Sequence, residues 1–150
     1  MRYYLSIGSN LGKREENINA AVRLLNETAG KVLRISSFYY SEPWGFVSDN
    51  LFCNIALCLE SDLSPESLLA ATQAIERQLG RTEKTEGGHY CDRLIDIDLL
   101  QCFDTSVSEN APTLSEGKEI IVDTPTLTLP HPLMHQRDFV LIPLAEIVSA

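Results

Sequence analysis

The stretch Arg93-Leu94-Ile95-Asp96-Ile97-Asp98-Leu99-Leu100 restricts the fold of this chain more than any other. It is an apolar, β-type run with two carboxylates set into it. Strand side chains alternate between faces, so Asp96 and Asp98 project together while Ile95, Ile97 and Leu99 project the other way. An i, i+2 spacing puts the two Cα atoms about 7 Å apart, close enough for the carboxylates to grip one hard cation or to bridge two. Two ionised carboxylates beside Leu94 and Leu100 repel each other unless a positive charge lies between them or water covers them. The pattern therefore fits a metal-holding strand and, equally, an edge strand with a solvated outer face.

The segments before this run alternate in type. Tyr3 to Ile7 reads as a first strand, broken by Gly8-Ser9-Asn10. Ile18, Ala21, Val22 and Leu25 recur at i, i+3, i+4 and i+7, an amphipathic helix ending near Ala29-Gly30. Val32 to Tyr40 is β-branched and aromatic, and Phe52 to Leu59 is a third strand. Ser64-Pro65 opens a second helix with an N-cap followed by proline at the first helical position, and Gly80 stops it after a buried stripe of Leu68, Thr72, Ile75 and Leu79. The polar segment 81–92, with its paired Gly87-Gly88, predicts a mobile loop before the acidic strand.

This order, β-α-β-β-α-β, predicts an α+β domain with the ferredoxin-like split arrangement. Both helices should pack on one face of an antiparallel sheet, leaving the other for a ligand or for later elements. Segment 104–117 reads as turn-like. Glu119 to Val122 and Thr126 to Leu129 suggest a short hairpin, and Leu133 to Ile147 suggests short helical turns interrupted at Pro143. One domain over residues 1–150 is the simplest organisation at this length.

Composition narrows the function classes. Twelve Lys and Arg against 21 Asp and Glu give a net charge of −9, with no basic cluster, which argues against nucleic-acid and anionic-membrane partners. The N-terminal residues lack the pattern of a signal peptide, and no apolar run reaches membrane-spanning length. Cys53, Cys58, Cys91 and Cys102 show no C-x-x-C pairing, which predicts reduced thiols, a cytoplasmic location and no zinc site. A phosphate-bearing substrate must then be held by a few placed cations or by bound metal.

Candidate groups for that task are present, each with an ordinary alternative. Gly8-Ser9-Asn10 suits an anion cradle at a helix start or a tight turn with a capping side chain. Asn54, among apolar residues, suits reading a heterocycle edge or bonding a neighbouring loop. Arg81, Arg93 and Arg137 stand near breaks in structure, as phosphate clamps do and as surface arginines also do. His131, held between Pro130 and Pro132, suits donation to a phosphate or a structural turn. The turn-rich Ser41 to Asn50 carries the one tryptophan, Trp44, as an aromatic-bearing functional loop would. No P-loop, G-x-G-x-x-G or G-x-S-x-G motif occurs. A carboxylate pair, separated arginines and an aromatic loop suit metal-assisted transfer of a phosphoryl-type group.

Four stretches together resemble the 6-hydroxymethyl-7,8-dihydropterin pyrophosphokinase family of folate synthesis. They are Ile7-Gly8-Ser9-Asn10-Leu11; Ser36-Ser37-Phe38-Tyr39 with Ser41-Glu42-Pro43-Trp44-Gly45; Arg93-Leu94-Ile95-Asp96-Ile97-Asp98; and Pro130-His131-Pro132-Leu133-Met134-His135-Gln136-Arg137-Asp138-Phe139-Val140-Leu141. Phe52-x-Asn54 and Gln73-x-x-Glu76 also have counterparts, so the likeness spans nearly the whole chain apart from 103–124.

The resemblance implies a cytoplasmic monomeric enzyme that moves pyrophosphate from ATP to the pterin hydroxymethyl oxygen and releases AMP. By that likeness Asp96 and Asp98 would hold two Mg²⁺ ions. Phe52 and Phe139 would sandwich the pterin, with Asn54, Ser41, Trp44 and Asp96 completing its site. Gln73, Glu76, Arg81, Arg93, His131 and Arg137 would line the ATP, and Arg81 and Arg93 would join the two aspartates in catalysis.

The chain departs from the family pattern in places. Tyr90-Cys91-Asp92 replaces an aromatic followed by Gly-Pro, Glu83 stands where many members have a basic residue, and segment 104–122 is longer than usual. Asp92 and Glu83 predict a weaker hold on ATP. The competing reading is a non-catalytic ferredoxin-like module that binds a pterin or nucleotide without turnover, since this fold class hosts many functions.

Overall fold

The computed structural model describes residues 1–42, 51–80, 94–105 and 117–148. Its centre is β1 (Arg2–Ser9), paired antiparallel with β4 (Phe52–Glu60) on one side and β5 (Asp96–Asp104) on the other. β2 (Lys31–Ile35) and β3 (Tyr39–Ser41) follow each other along the far edge of β4, and β6 (Lys118–Glu119) extends the sheet beyond β5. β7 (Val122–Asp123) and β8 (Thr128–Leu129) form a separate two-stranded sheet.

β1 and β4 are buried along nearly their whole length, which for a strand requires cover on both faces. Tyr3, Leu5 and Ile7 pack with Ile55, Leu57, Ile97 and Leu99 beneath α1 (Arg14–Thr28) and α2 (Pro65–Gln78), through Ile18, Leu25, Leu68 and Ile75. On the opposite face Tyr4, Ala56, Cys58 and Leu100 pack with Met134, Val140, Leu144 and Ile147, the last three from α3 (Asp138–Val148). The two helices predicted to share a face do so, and the later C-terminal helix covers part of the other.

The α2 signals act as read: the Ser64 hydroxyl accepts from the Ser67 N–H, and Gly80 takes φ +103°. Four details differ from the sequence reading. First, β1 continues through Gly8 to Ser9, and α1 starts only at Arg14 with Lys13 as an N-cap lacking a side-chain bond. Gly8-Ser9-Asn10 is therefore neither an anion cradle at a helix start nor a cap. Second, the strand expected over Val32 to Tyr40 is split. The buried Ser36 takes the rung itself, its N–H bonding the Ala56 carbonyl and its hydroxyl accepting from the Ala56 N–H, and so interrupts the run. Third, Lys118–Glu119 joins the main sheet, and the hairpin pairs Val122–Asp123 with Thr128–Leu129.

Fourth, Leu133 to Ile147 is a short 3-10 turn, Met134–Gln136, followed by a continuous α3 with Pro143 inside it. An interior proline costs about 3 kcal/mol. Burying Val140, Leu144 and Ile147 at about 1.5–3 kcal/mol each outweighs that cost. Among the described residues no helix is long and apolar enough to cross a membrane. Cys53, Cys58 and Cys102 are buried thiols outside any disulfide, and Cys91 lies outside the described residues.

Candidate active site

The strand pairing assembles the site as two rows on the α3-side face of the sheet. One row runs Tyr39, Asn54, Gly8, Asp96 across β3, β4, β1 and β5; the next runs Ala56, Ser6, Asp98. Asp96 and Asp98 share this face, with Ile95, Ile97 and Leu99 turned into the helix-side core, as their alternation predicts.

Gly8 is needed for closeness. A Cβ there would stand 2.9 Å from Asn54 Oδ1 and 3.5 Å from the Phe52 ring, so glycine lets the amide lie flat over β1. Asn54 is 2 % exposed, and its Nδ2 donates to the Tyr39 carbonyl at 3.1 Å and to Ser41 Oγ at 2.8 Å. Both amide protons are thereby engaged, and Oδ1 is left as the atom that can accept from a ligand N–H. Phe52, opposite Ser41 in the register, stands two residues away on the same face.

The C-terminal segment lays a guanidinium, an imidazole and an aromatic ring over the acidic end. Arg137, 6 % exposed, brings Nη1 to 3.9 Å from Asp98 Oδ2 and sets its guanidinium 5.6 Å from the centre of the Phe139 ring. Pro130 follows a cis peptide bond, and the next backbone N–H, from His131, donates to the Leu100 carbonyl at 2.8 Å, tying the turn to β5. His131 Nδ1 accepts from the Leu133 N–H at 3.1 Å, so the neutral ring carries its proton on Nε2 and can donate from that atom.

The His131 pKa is lowered, by burial first and by the Arg137 charge second, against an opposing pull from Asp96. A histidine depressed in this way binds fewer protons when folded. Its contribution to stability is therefore present above its ordinary value of 6.5 and is lost as pH falls below it. The His131 ring proton should titrate by NMR with a midpoint below 6.5, and the folded chain should lose stability over the same range. A midpoint at or above 6.5 would refute the buried, neutral ring.

A cleft of about 280 Å³ opens beside these groups. Asp98, Ile97, Leu99 and His131 form one wall, Leu69 of α2 another, and Thr124 to Thr128 a third. The sequence reading did not single out Leu69 or the 124–128 threonines. The only advance signal of the threonines is the Thr-Pro-Thr-Leu-Thr run that ends three residues before His131. Gln73 and Glu76 continue the Leu69 side of α2 at i+4 and i+7, yet they differ in setting. Gln73 is exposed, whereas Glu76 is 5 % exposed and its Oε2 accepts from the Ile97 N–H at 2.9 Å. That bond engages an N–H on the outer edge of β5, so Glu76 braces the acidic strand itself.

Of the residues expected at the site, Ser41, Phe52, Asn54, Asp96, Asp98, His131, Arg137 and Phe139 come together on or over this face, Glu76 reaches the edge of β5 from α2, and Gln73 lies exposed on that helix. Trp44, Arg81 and Arg93 lie outside the described residues, as do Glu83 and Asp92. The donor set suits Mg²⁺, which is commonly held by one or two carboxylates with substrate phosphates and water filling the remaining positions. Among the described residues no group of three or more His, Cys, Asp or Glu could hold a metal ion.

Comparison with known proteins shows the family of the chain. The family model for 7,8-dihydro-6-hydroxymethylpterin-pyrophosphokinase (HPPK) matches residues 4–149. A 2-amino-4-hydroxy-6-hydroxymethyldihydropteridine pyrophosphokinase of Porphyromonas gingivalis is 46% identical over 144 residues, which cover 96% of this chain and 88% of the relative. The protein of the same name from Bacillus subtilis is 39% identical over 145 residues, 96% of this chain and 76% of that one. Among solved structures, an HPPK-DHPS in complex with substrates superposes with a TM-score of 0.67 at 15% identity. A wild-type Plasmodium falciparum HPPK-DHPS with pteroate gives 0.64, also at 15%. Each covers 98% of this chain, which spans only 40% and 38% of those longer chains, and at such identity the likeness concerns the fold alone.

Proposed function

The chain belongs to the 7,8-dihydro-6-hydroxymethylpterin-pyrophosphokinase family, and on that premise we propose that the acidic sheet face is where ATP and the pterin meet. The activity is transfer of a pyrophosphoryl group from ATP to hydroxymethyldihydropterin in folate biosynthesis. The observation that carries the site assignment is the position of the two carboxylates. Asp96 shares its row with Asn54, and Asp98 borders the 280 Å³ cleft.

The pterin lies over Gly8, between the Phe52 and Phe139 rings, with its amino or ring N–H donating to Asn54 Oδ1 and Ser41 and Trp44 beside it. ATP occupies the cleft side, its phosphates reached by His131 Nε2–H, Arg137, Arg81 and Arg93, with Gln73 and Glu76 at the α2 rim. Asp96 and Asp98 would hold two Mg²⁺ ions, which when bound neutralise phosphate charge and polarise the transferring group. The pterin hydroxymethyl oxygen forms a bond to the β-phosphorus and releases its proton to solvent, the bond from that phosphorus to the α-phosphate bridging oxygen breaks, and AMP leaves. Positioning and charge neutralisation supply most of the rate in such transfers, so the side chains named here need not include a dedicated general base. On this reading the strand order is the ferredoxin-like βαββαβ arrangement with β2 and β3 as one interrupted edge. The chain acts as a single-domain cytoplasmic monomer carrying an extended 104–122 segment.

The test is direct. Incubation with Mg²⁺-ATP and 6-hydroxymethyl-7,8-dihydropterin should release AMP in step with pterin pyrophosphate. No AMP above a pterin-free control would overturn the enzymatic reading.

A further inference from the structure

The side of the sheet away from the pterin holds a group of polar contacts that the reaction does not use. In β3 the register places Tyr39 opposite Asn54 and Ser41 opposite Phe52, while Tyr40 stands opposite Cys53, which belongs to the helix-side core. Tyr40 thus projects toward the start of α1, where its hydroxyl donates to Glu15 Oε1 at 2.8 Å. Arg14, the neighbouring residue, sets its guanidinium 5.4 Å from the centre of the Tyr40 ring and donates from Nη1 to the Leu51 carbonyl at 2.8 Å. Two adjacent residues of one helix turn therefore hold both β3 and the residue that precedes Phe52.

We propose that Arg14, Glu15 and Tyr40 form a clasp that positions the pterin site through the sheet, holding Phe52, Asn54 and Ser41 from the opposite face. β3 is three residues long and, among the described strands, pairs with β4 alone, so its three rungs give it little hold of its own. Asn54 orients its Oδ1 by donating to two atoms of this strand, the Tyr39 carbonyl and Ser41 Oγ. Movement of β3 would turn the amide, and movement of Leu51 would shift the adjoining Phe52. The Glu15 carboxylate pushes the Tyr40 pKa up to about 12, so the phenol keeps its proton and the donor persists across the working pH range. The cleft side has no part in these contacts, so the clasp acts on pterin and leaves ATP alone.

The inference rests on the pterin reading of Phe52 and Asn54, and the experiment separates the two. Tyr40→Phe, Arg14→Ala and their double variant are titrated with 6-hydroxymethyl-7,8-dihydropterin in the presence of an ATP analogue whose α–β bridging oxygen is a methylene. Steady-state kinetics and Tm are measured alongside. Each single variant should raise the pterin Kd about three- to tenfold, as expected for one net hydrogen bond, while KM for ATP and kcat stay within twofold. The double variant should lose less than the product of the two, because the Arg14 guanidinium lies over the Tyr40 ring and the two effects are coupled. Arg14→Lys, which keeps a donor for Leu51, should recover part of the loss. A pterin Kd within twofold of wild type in the double variant overturns the clasp, as does an equal loss of pterin and ATP affinity. Phe52→Ala is the control. If it weakens pterin binding while the clasp variants do not, the clasp alone fails. If it leaves pterin affinity unchanged, the site assignment fails and the clasp with it.

Discussion

Asp98→Ala should lower turnover by about a thousandfold or more, the scale seen when charge stabilisation at a transferring group is removed. Pterin affinity measured without nucleotide should stay within a fewfold of wild type. The asymmetry follows from the register: Asp98 sits in the row of Ser6 and Ala56 and lines the cleft with Ile97, Leu99 and His131. Asp96 instead shares its row with Gly8 and Asn54, so Asp96→Ala should damage pterin binding as well as turnover. Folding should not explain the loss. Removing one of two like charges on one strand face relieves repulsion, and that gain opposes the loss of the 3.9 Å approach of Arg137 to Asp98. Tm should therefore hold to within a few degrees, as at other sites where function is kept at some expense to stability. Retention of near wild-type turnover in Asp98→Ala would refute the role given to the acidic strand.

The parts of this site visible in the sequence are those that depend on one strand's own alternation. Asp96 with Asp98, and Phe52 with Asn54, share faces because they are two residues apart in extended backbone, and period 2 is legible without a partner. The burial of α1 and α2 was legible from their 3.6-residue stripes, although the α2 stripe extends to Glu76. No periodicity shows that Glu76 carries its carboxylate to a backbone N–H of β5. The cleft was not legible, because α2, the edge of β5 and the 124–128 turn converge only through tertiary packing.

The approach of Arg137 and His131 to the aspartates was likewise beyond spacing rules, since about 40 residues separate them in the chain. Only the likeness to a family brought them together in advance. α3 shows the opposite failure. Local propensity at Pro143 argued for a break, and the burial of Val140, Leu144 and Ile147 overrode it.

Arg137→Ala is the second large expected effect, because on the proposed reading one guanidinium would serve both halves of the site. It stands 3.9 Å from Asp98 on the nucleotide side and 5.6 Å from the Phe139 ring centre on the pterin side. If that cation faces the phosphates as proposed, its loss should lower kcat/KM by about a hundredfold or more, and loss of the cation beside the Phe139 ring should weaken the pterin as well. Arg137→Lys should separate the two contributions. An ammonium restores positive charge for the phosphates but lacks the planar fork that reaches the Phe139 ring and Asp98 together, so ATP affinity should return further than pterin affinity. A third readout is independent of activity. The Arg137 charge helps hold the His131 pKa down while Asp96 pulls it up, so removing the guanidinium should move the His131 midpoint upward. Arg137→Lys should keep that midpoint closer to its original value. If the ring titrates unchanged in Arg137→Ala, the guanidinium is not acting on His131, and the shared phosphate-binding role assigned to the two residues loses its electrostatic basis.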